Sequence, residues 1–177
     1  MRGYFGIGVE GISKAHNLGN LMRSAHAFGA EFFFAIAPDV RMQDVHRSDT
    51  AHSDMHVPFY TYDSVSDLVL PKGCVLTGVE FIEDAVELPS FRHPVRAAYI
   101  LGPEMGSLSD AALSRCGHII KIPLKFCINV GVAGALVMYD RMVSAGRFPP
   151  RPVKSGGPDG APGKHRPGPR RLKRKNH

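Results

Sequence analysis

Five stretches carry the polar residues whose types and spacing could do chemistry. "GIGVEG", Gly6 to Gly11, has the G-x-G-x-x-G spacing that lets a backbone approach a pyrophosphate. "HNLGNLMRSAHAFGA", His16 to Ala30, sets Asn17 and Arg23 in one segment, and an arginine fork suits a phosphate or a developing oxyanion. "YILGPEMGSLSDAAL", 99–113, ends an apolar run in Gly102-Pro103 and then offers Glu104 and Gly106. "IKIPLKFCINVGVAGALVMYDRM", 120–142, places Cys127 and Asn129 just before the small residues Gly131, Ala133, Gly134 and Ala135. "HRSDTAHSDMH" holds His46, His52 and His56. His52 and His56 at i, i+4 could share a metal, but no acid or thiol motif completes a ligand set, and Pro58 opposes a helix through His56.

The elements that must position these groups can be read from periodicity. "YFGIGVE", "FFFAIA", "CVLTGV", "VRAAYIL" and "HIIKIP" read as strands, several apolar throughout and therefore covered on both faces. Segments 17–29, 63–70, 109–116 and 129–145 read as helices between and after them. This alternation predicts βαβ units and a mainly parallel sheet, whose ligands sit at the carboxyl ends of the strands. Helix 17–29 can be checked by angle at about 100° per residue. Leu18, Leu21, Met22, Ala25 and Phe28 share one face, Asn17 stands where an N-cap belongs, and Arg23 falls far from the apolar face, near Ala27. By pattern alone Arg23 is a surface charge. Helix 129–145 is apolar nearly all round and is expected to be buried. In "GIGVEG" the first glycines lie inside a strand and Glu31 begins the second strand instead of ending it, so a dinucleotide site is the lesser reading.

Charge divides the chain. The net charge is +6, yet the first 150 residues carry −2 and the segment from Arg151 onward carries +8. That segment is rich in Pro and Gly and poor in apolar residues, so it reads as disordered. Its cluster "RRLKRK" fits contact with a phosphate backbone, the alternative being a solubilising extension. The fold is expected to stop near Phe148, where "PPRP" breaks any helix. No apolar run approaches the roughly 20 residues of a membrane helix. Cys74, Cys116 and Cys127 lack the spacing of a disulfide framework or a zinc site. Together these features point to a cytosolic protein.

Three segments, in order, resemble the SpoU (TrmH-like) branch of the SPOUT methyltransferases: "NLGNLMRSAHAFG" (17–29), "LGPEMGSLS" (101–109) and "IPLKFCINVGVAGAL" (122–136). The resemblance implies a parallel-sheet α/β/α domain over 1–149 with a C-terminal deep trefoil knot, followed by a basic tail, 150–177. It implies S-adenosylmethionine as cofactor, methyl transfer to a ribose 2′-hydroxyl of tRNA or rRNA, and a homodimer with residues of both subunits around each site. Carried over by motif, Asn17, Arg23, Glu104 and Asn129 form the catalytic set. Thr77, Gly78, Leu101, Gly102, Gly106, Ile122, Leu124, Cys127 and Ile128 hold the cofactor. Arginine is a poor base, so Arg23 is expected to bind phosphate and stabilise developing alkoxide, with Asn17 and Glu104 orienting it. Two departures stand out. Cys127 replaces the family's usual serine, and only Lys125 and Phe126 separate "IPL" from "CIN". These keep open the alternative of an inactive RNA-binding member; an NAD-dependent oxidoreductase rests on "GIGVEG" alone. The first strand starts almost at Met1, without the family's common RNA-binding extension. The first 150 residues are slightly negative, so RNA binding is expected to depend heavily on the tail and local patches.

Overall fold

A strand covered on both faces must be apolar on both, and the five β-branched or aromatic runs, several of them apolar throughout, are all strands. The computed structural model describes residues 3–41, 43–45, 55–146 and 148–157; His46, His52 and most of the basic tail lie outside them. The chain divides into two units, Met1–Gly146 and Arg147–His177. The second has no helix or strand among its described residues, and every element named below belongs to the first. In chain order these are β1 (Tyr4–Glu10), α1 (Ala15–Phe28), β2 (Phe32–Ile36), β3 (Phe59–Tyr62), β4 (Val75–Val79), β5 (Val86–Glu87), β6 (Arg96–Leu101), α2 (Asp110–Arg115), β7 (His118–Lys121) and α3 (Val130–Ala145). The strands form one sheet in the order β3-β2-β1-β6-β4-β7-β5, and every pairing is parallel.

Period-two alternation sorts the strand residues onto two cores. Phe5, Ile7, Val9, Phe33, Ala35, Ala97, Tyr99 and Leu101 face α1 and α3. Phe34, Ile36, Leu76, Ala98 and Ile100 face α2 and the turn at Val65–Asp67. The sheet is thus sandwiched between helical layers. The glycines of "GIGVEG" belong to this packing. A Cβ on Gly6 would stand 2.2 Å from the Phe32 ring, and one on Gly8 would stand 2.3 Å from the Phe34 carbonyl oxygen. The neighbouring strand covers that face of β1, so Gly6 and Gly8 lie within a strand and form no phosphate loop.

Three expectations are corrected and two strands are added. Segment 63–70 is not a helix; only a single 3-10 turn, Val65–Asp67, forms, because Pro71 limits its length and Arg115 takes the carbonyls of Val65 and Leu68 as hydrogen-bond acceptors. Strands β3 and β5 gave no apolar run, because they are short edge strands with exposed positions. Asn17 is not an N-cap: α1 starts at Ala15 after Lys14, with no side-chain cap, and Asn17 is buried in the first turn. Finally, α3 is not buried all round. Gly134 lets it press on Leu21 of α1, while Val132, Leu136, Tyr139 and Val143 remain exposed.

The far end of α3 is tied down by a buried fork. The Arg141 guanidinium donates to the carbonyls of Pro94 at 2.6 Å, Val95 at 3.0 Å and Tyr4 at 3.2 Å, and to the Tyr99 hydroxyl at 3.2 Å. His93 bridges Tyr99 at 2.5 Å and Asp140 at 2.8 Å. Burial pushes the Tyr99 hydroxyl up to about 12 and the His93 imidazole below its ordinary value.

Gly8→Ala tests the close approach of β1 and β2. A methyl against a sheet carbonyl cannot be absorbed by a rotamer change, so the unfolding free energy should fall by about 1–3 kcal/mol. Urea unfolding measures it, and an unchanged midpoint would show slack between the strands.

Candidate functional site

Parallel strands leave their carboxyl ends open beside the start of the following helix, and ligands collect there. Here the ends of β4, β6 and β7 and the start of α1 surround a cleft of about 430 Å³. Its apolar wall includes Val79, Phe81, Leu101, Ile122, Leu124, Phe126, Ile128 and Ala133; its polar groups include Lys14, Asn17, Glu80, Glu104, Lys121, Cys127 and Asn129.

Three polar side chains from distant parts of the sequence meet at this cleft. Glu104 reaches from the loop after β6 to the entry of α1. One carboxylate oxygen accepts from the Ser13 N–H at 3.1 Å and its hydroxyl at 3.2 Å; the other accepts from the Lys14 N–H at 3.2 Å and from Asn17 Nδ2 at 2.9 Å. The carboxylate thus serves the helix entry that lacks a side-chain cap of its own. Asn129 Nδ2 in turn donates to Asn17 Oδ1 at 2.8 Å. Asn129 Oδ1 accepts from the Gly131 N–H at 2.9 Å and the Val132 N–H at 3.4 Å, capping α3. The result is a hydrogen-bond chain running Asn129 to Asn17 to Glu104. Partial burial acts to raise the Glu104 pKa, but the hydrogen bonds from Asn17 and Ser13 outweigh it and hold the carboxyl below its ordinary value.

Most residues expected around the cofactor line this cleft: Leu101, Gly102, Gly106, Ile122, Leu124, Cys127 and Ile128. Thr77 and Gly78 do not. Thr77 lies within β4, fully buried, and its hydroxyl has no hydrogen-bond partner. Gly78 faces the other core, where a Cβ would stand 3.1 Å from Cys116 Sγ and 3.2 Å from Leu108. Their place at the cleft is taken by Val79, Glu80 and Phe81. The carboxyl-end rule signals these three once the strand's last residue is known. Lys14 and Lys121 also escaped the sequence reading; Lys121 Nζ donates to the carbonyls of Ile82 at 3.2 Å and Glu83 at 2.7 Å.

Arg23 stands apart within one chain. It lies six residues beyond Asn17, a rotation of about 240° along the helix. It is exposed and does not line the cleft. His56 does not join a metal cluster among the described residues; its ring stacks on His26 with centroids 4.6 Å apart.

The depressed Glu104 pKa carries a signed expectation. A carboxylate favoured in the folded state contributes stability above its ordinary value of 4.5. That stability is lost as pH falls through the lower folded value. Glu104→Gln should therefore be less stable than the parent at neutral pH, and the difference should shrink on acidification. Urea midpoints of the two proteins between neutral and acid pH check this, and a difference independent of pH would contradict it.

A family model, described as the SpoU rRNA methylase family, matches residues 5–139. A tRNA (guanosine(18)-2′-O)-methyltransferase of Escherichia coli strain K12 is 26 % identical over 138 residues, covering 75 % of this chain and 60 % of the relative. A putative TrmH family tRNA/rRNA methyltransferase of Staphylococcus aureus is 27 % identical over 142 residues, covering 75 % of this chain and 56 % of the relative. This chain therefore spans little more than half the length of these relatives. Among solved structures, the SpoU methyltransferase AviRb of Streptomyces viridochromogenes, in complex with AdoMet, superposes with a TM-score of 0.72 at 22 % identity, over 83 % of this chain and 60 % of that one. A probable methyltransferase of Bordetella pertussis superposes with a TM-score of 0.68 at 15 % identity, over 80 % and 94 %. Those structures share the fold, and the segments that carry Asn17, Glu104 and Asn129 all fall inside the matched residues: the chain belongs to the SpoU rRNA methylase family.

Proposed function

We propose that this chain transfers a methyl group from S-adenosylmethionine to a ribose 2′-hydroxyl of tRNA or rRNA. The observation that carries the reading is the chain Asn129–Asn17–Glu104, which draws one side chain from each motif to an apolar-walled cleft. The cleft suits the cofactor: its volume falls within the roughly 300–1,000 Å³ of small-molecule sites, and it joins apolar walls to a few fixed polar groups. When bound, the cofactor supplies a sulfonium methyl that is electrophilic without a metal. Leu101, Gly102, Gly106, Ile122, Leu124, Cys127 and Ile128 would hold it, with the main chain of residues 79–81 in the place expected for that of Thr77 and Gly78, while the Glu80 carboxylate is taken up by the Leu108 and Phe81 N–H groups.

The side chains divide the remaining work. Asn17, Glu104 and Asn129 satisfy one another, so their role is to hold the cleft's edges in register. A guanidinium does not deprotonate near neutrality, so Arg23 binds the phosphate beside the target ribose and stabilises developing alkoxide. It reaches a cleft through a homodimer. The exposed apolar row Val132, Leu136, Tyr139 and Val143 on α3 supports a second copy. Docked there, that copy would receive Arg23 at its own cleft. We further read the segment following β7 as the threaded part of a deep trefoil knot, supported by the family and by the convergence of loops 79–81, 101–106 and 121–130 on one cleft. Residues 1–149 then form the methyltransferase domain and 150–177 a polycationic arm for RNA. With RNA as substrate, the enzyme works in the cytoplasm. Cys127 and the short Lys125-Phe126 loop favour a second reading, an RNA-binding member without activity.

Calorimetry with S-adenosylmethionine separates the two, because the inactive member should bind none. In an active enzyme Arg23→Ala should lose methyl transfer by at least about a hundredfold while keeping cofactor affinity. Arg23→Lys should rescue little, since lysine keeps charge without the planar fork. Normal turnover by Arg23→Ala on its true RNA would reduce Arg23 to a surface charge. Removal of 151–177 should weaken RNA binding and flatten its dependence on salt; an unchanged slope would remove the tail from RNA recognition.

A further inference from the structure

Glu104 can reach α1 only if the loop after β6 holds one shape, and that loop contains residues that favour many. It runs from Gly102 to Ser109 and includes Gly106 at φ 127°, a conformation open to glycine and strained for other residues. Exposed Met105 adds no anchor. The restraint comes from two carboxylates outside the loop, each at the carboxyl end of a strand. Glu10, the last residue of β1, grips Ser109: one oxygen accepts from the Ser109 N–H at 2.9 Å, the other from its hydroxyl at 2.7 Å. The same hydroxyl accepts from the Ala112 N–H at 3.1 Å and caps α2. Glu80, just past β4, accepts from the Leu108 N–H at 2.7 Å with one oxygen and from the Phe81 N–H at 2.9 Å with the other. Contact is close at the loop's other end too, where a Cβ on Gly102 would stand 3.1 Å from the Leu108 nitrogen.

We propose that Glu10 and Glu80 are positioning residues for methyl transfer: they fix the 102–109 loop so that Glu104 meets Ser13, Lys14 and Asn17 and the cleft keeps its width. The proposal rests on the methyltransferase reading of this cleft. Hydrogen bonds to an ionised acceptor are about twice as strong as neutral ones, and both carboxylates engage backbone N–H groups, so the restraint acts on the main chain. A glutamine in place of either glutamate keeps size but turns an NH₂ group toward one of the two donors.

The test uses full-length Glu10→Gln and Glu80→Gln with three readouts. Amide hydrogen exchange at Leu108 and Ser109 should speed up by about tenfold or more, the local opening expected from a lost charge-assisted bond, while exchange in β1 and β6 stays slow. Affinities for S-adenosylmethionine and for S-adenosylhomocysteine, which lacks the sulfonium charge, should fall together by about tenfold, because a loosened loop serves neither ligand better. With RNA, kcat should fall and KM hold. Ser109→Ala removes half of the Glu10 contact from the loop side; it should loosen the same amides if either glutamine variant fails to fold. Unchanged protection at Leu108 and Ser109 would overturn the proposal. So would weakened binding of S-adenosylmethionine alone, which would mean that the carboxylate charge acts on the ligand directly. If the parent protein binds neither ligand, the methyltransferase reading fails, and the exchange measurement still decides whether the carboxylates hold the loop.

Discussion

Glu104 accepts four hydrogen bonds from the entry of α1, and the working end of the domain is organised around that fact. The first turn of any helix has N–H groups without partners, and α1 has no capping side chain of its own. A carboxylate from a loop 87 to 91 residues away in sequence accepts instead from the N–H groups of Ser13 and Lys14, which lead into the helix, and from the Asn17 side chain in its first turn. Because Asn17 then turns its amide oxygen to Asn129, the same arrangement reaches the start of α3. One ionised group thereby links three chain segments with no local reason to meet.

α3 shows how the two ends of a helix divide the labour. At its amino end Asn129 is both cap and link in the cleft. At its carboxyl end Arg141 is held by three backbone carbonyls and the Tyr99 hydroxyl. A buried guanidinium is tolerable only when its donors are satisfied, and this fork meets that condition. Between the two anchors one face packs on α1 through Gly134, while the opposite face keeps an apolar row exposed. The helix is thereby fixed as a unit, with that row left exposed.

Legibility followed the range of the interactions. Strands such as FFFAI and RAAYIL were readable because burial on both faces demands a nearly unbroken apolar run, with Arg96 exposed at the start of β6. Ser109 and Asn129 were legible only as the first residues of segments 109–116 and 129–145; that they cap α2 and α3 came from the structure. Segment 63–70 was misread because Val65, Leu68 and Leu70 reach the core at helix-like spacing, with too little chain before Pro71 to complete a helix. Asn17 was misread as a cap because side-chain type alone cannot distinguish an asparagine that satisfies its own helix from one bonded to another loop. "GIGVEG" matched a nucleotide motif in letters, and its first two glycines proved to be the imprint of Phe32 and Phe34 leaning over β1.

The sequence by itself determined what is periodic or local: the five main strands, the alternation that makes their sheet parallel, the separation of a near-neutral domain from a basic tail, and the motifs that mark the family. Tertiary structure decided which residues meet. It brought Asn17, Glu104 and Asn129 into one hydrogen-bond chain and left Arg23 on another face of α1. It moved the cleft wall from Thr77 and Gly78 to Val79, Glu80 and Phe81, and it enlisted Glu10 and Glu80 at the loop. The physical reason is that hydrophobic patterning repeats along the chain and survives in one dimension. A hydrogen bond between residues some ninety positions apart depends on distance and angle, which exist only after the sheet has set the register of its strands.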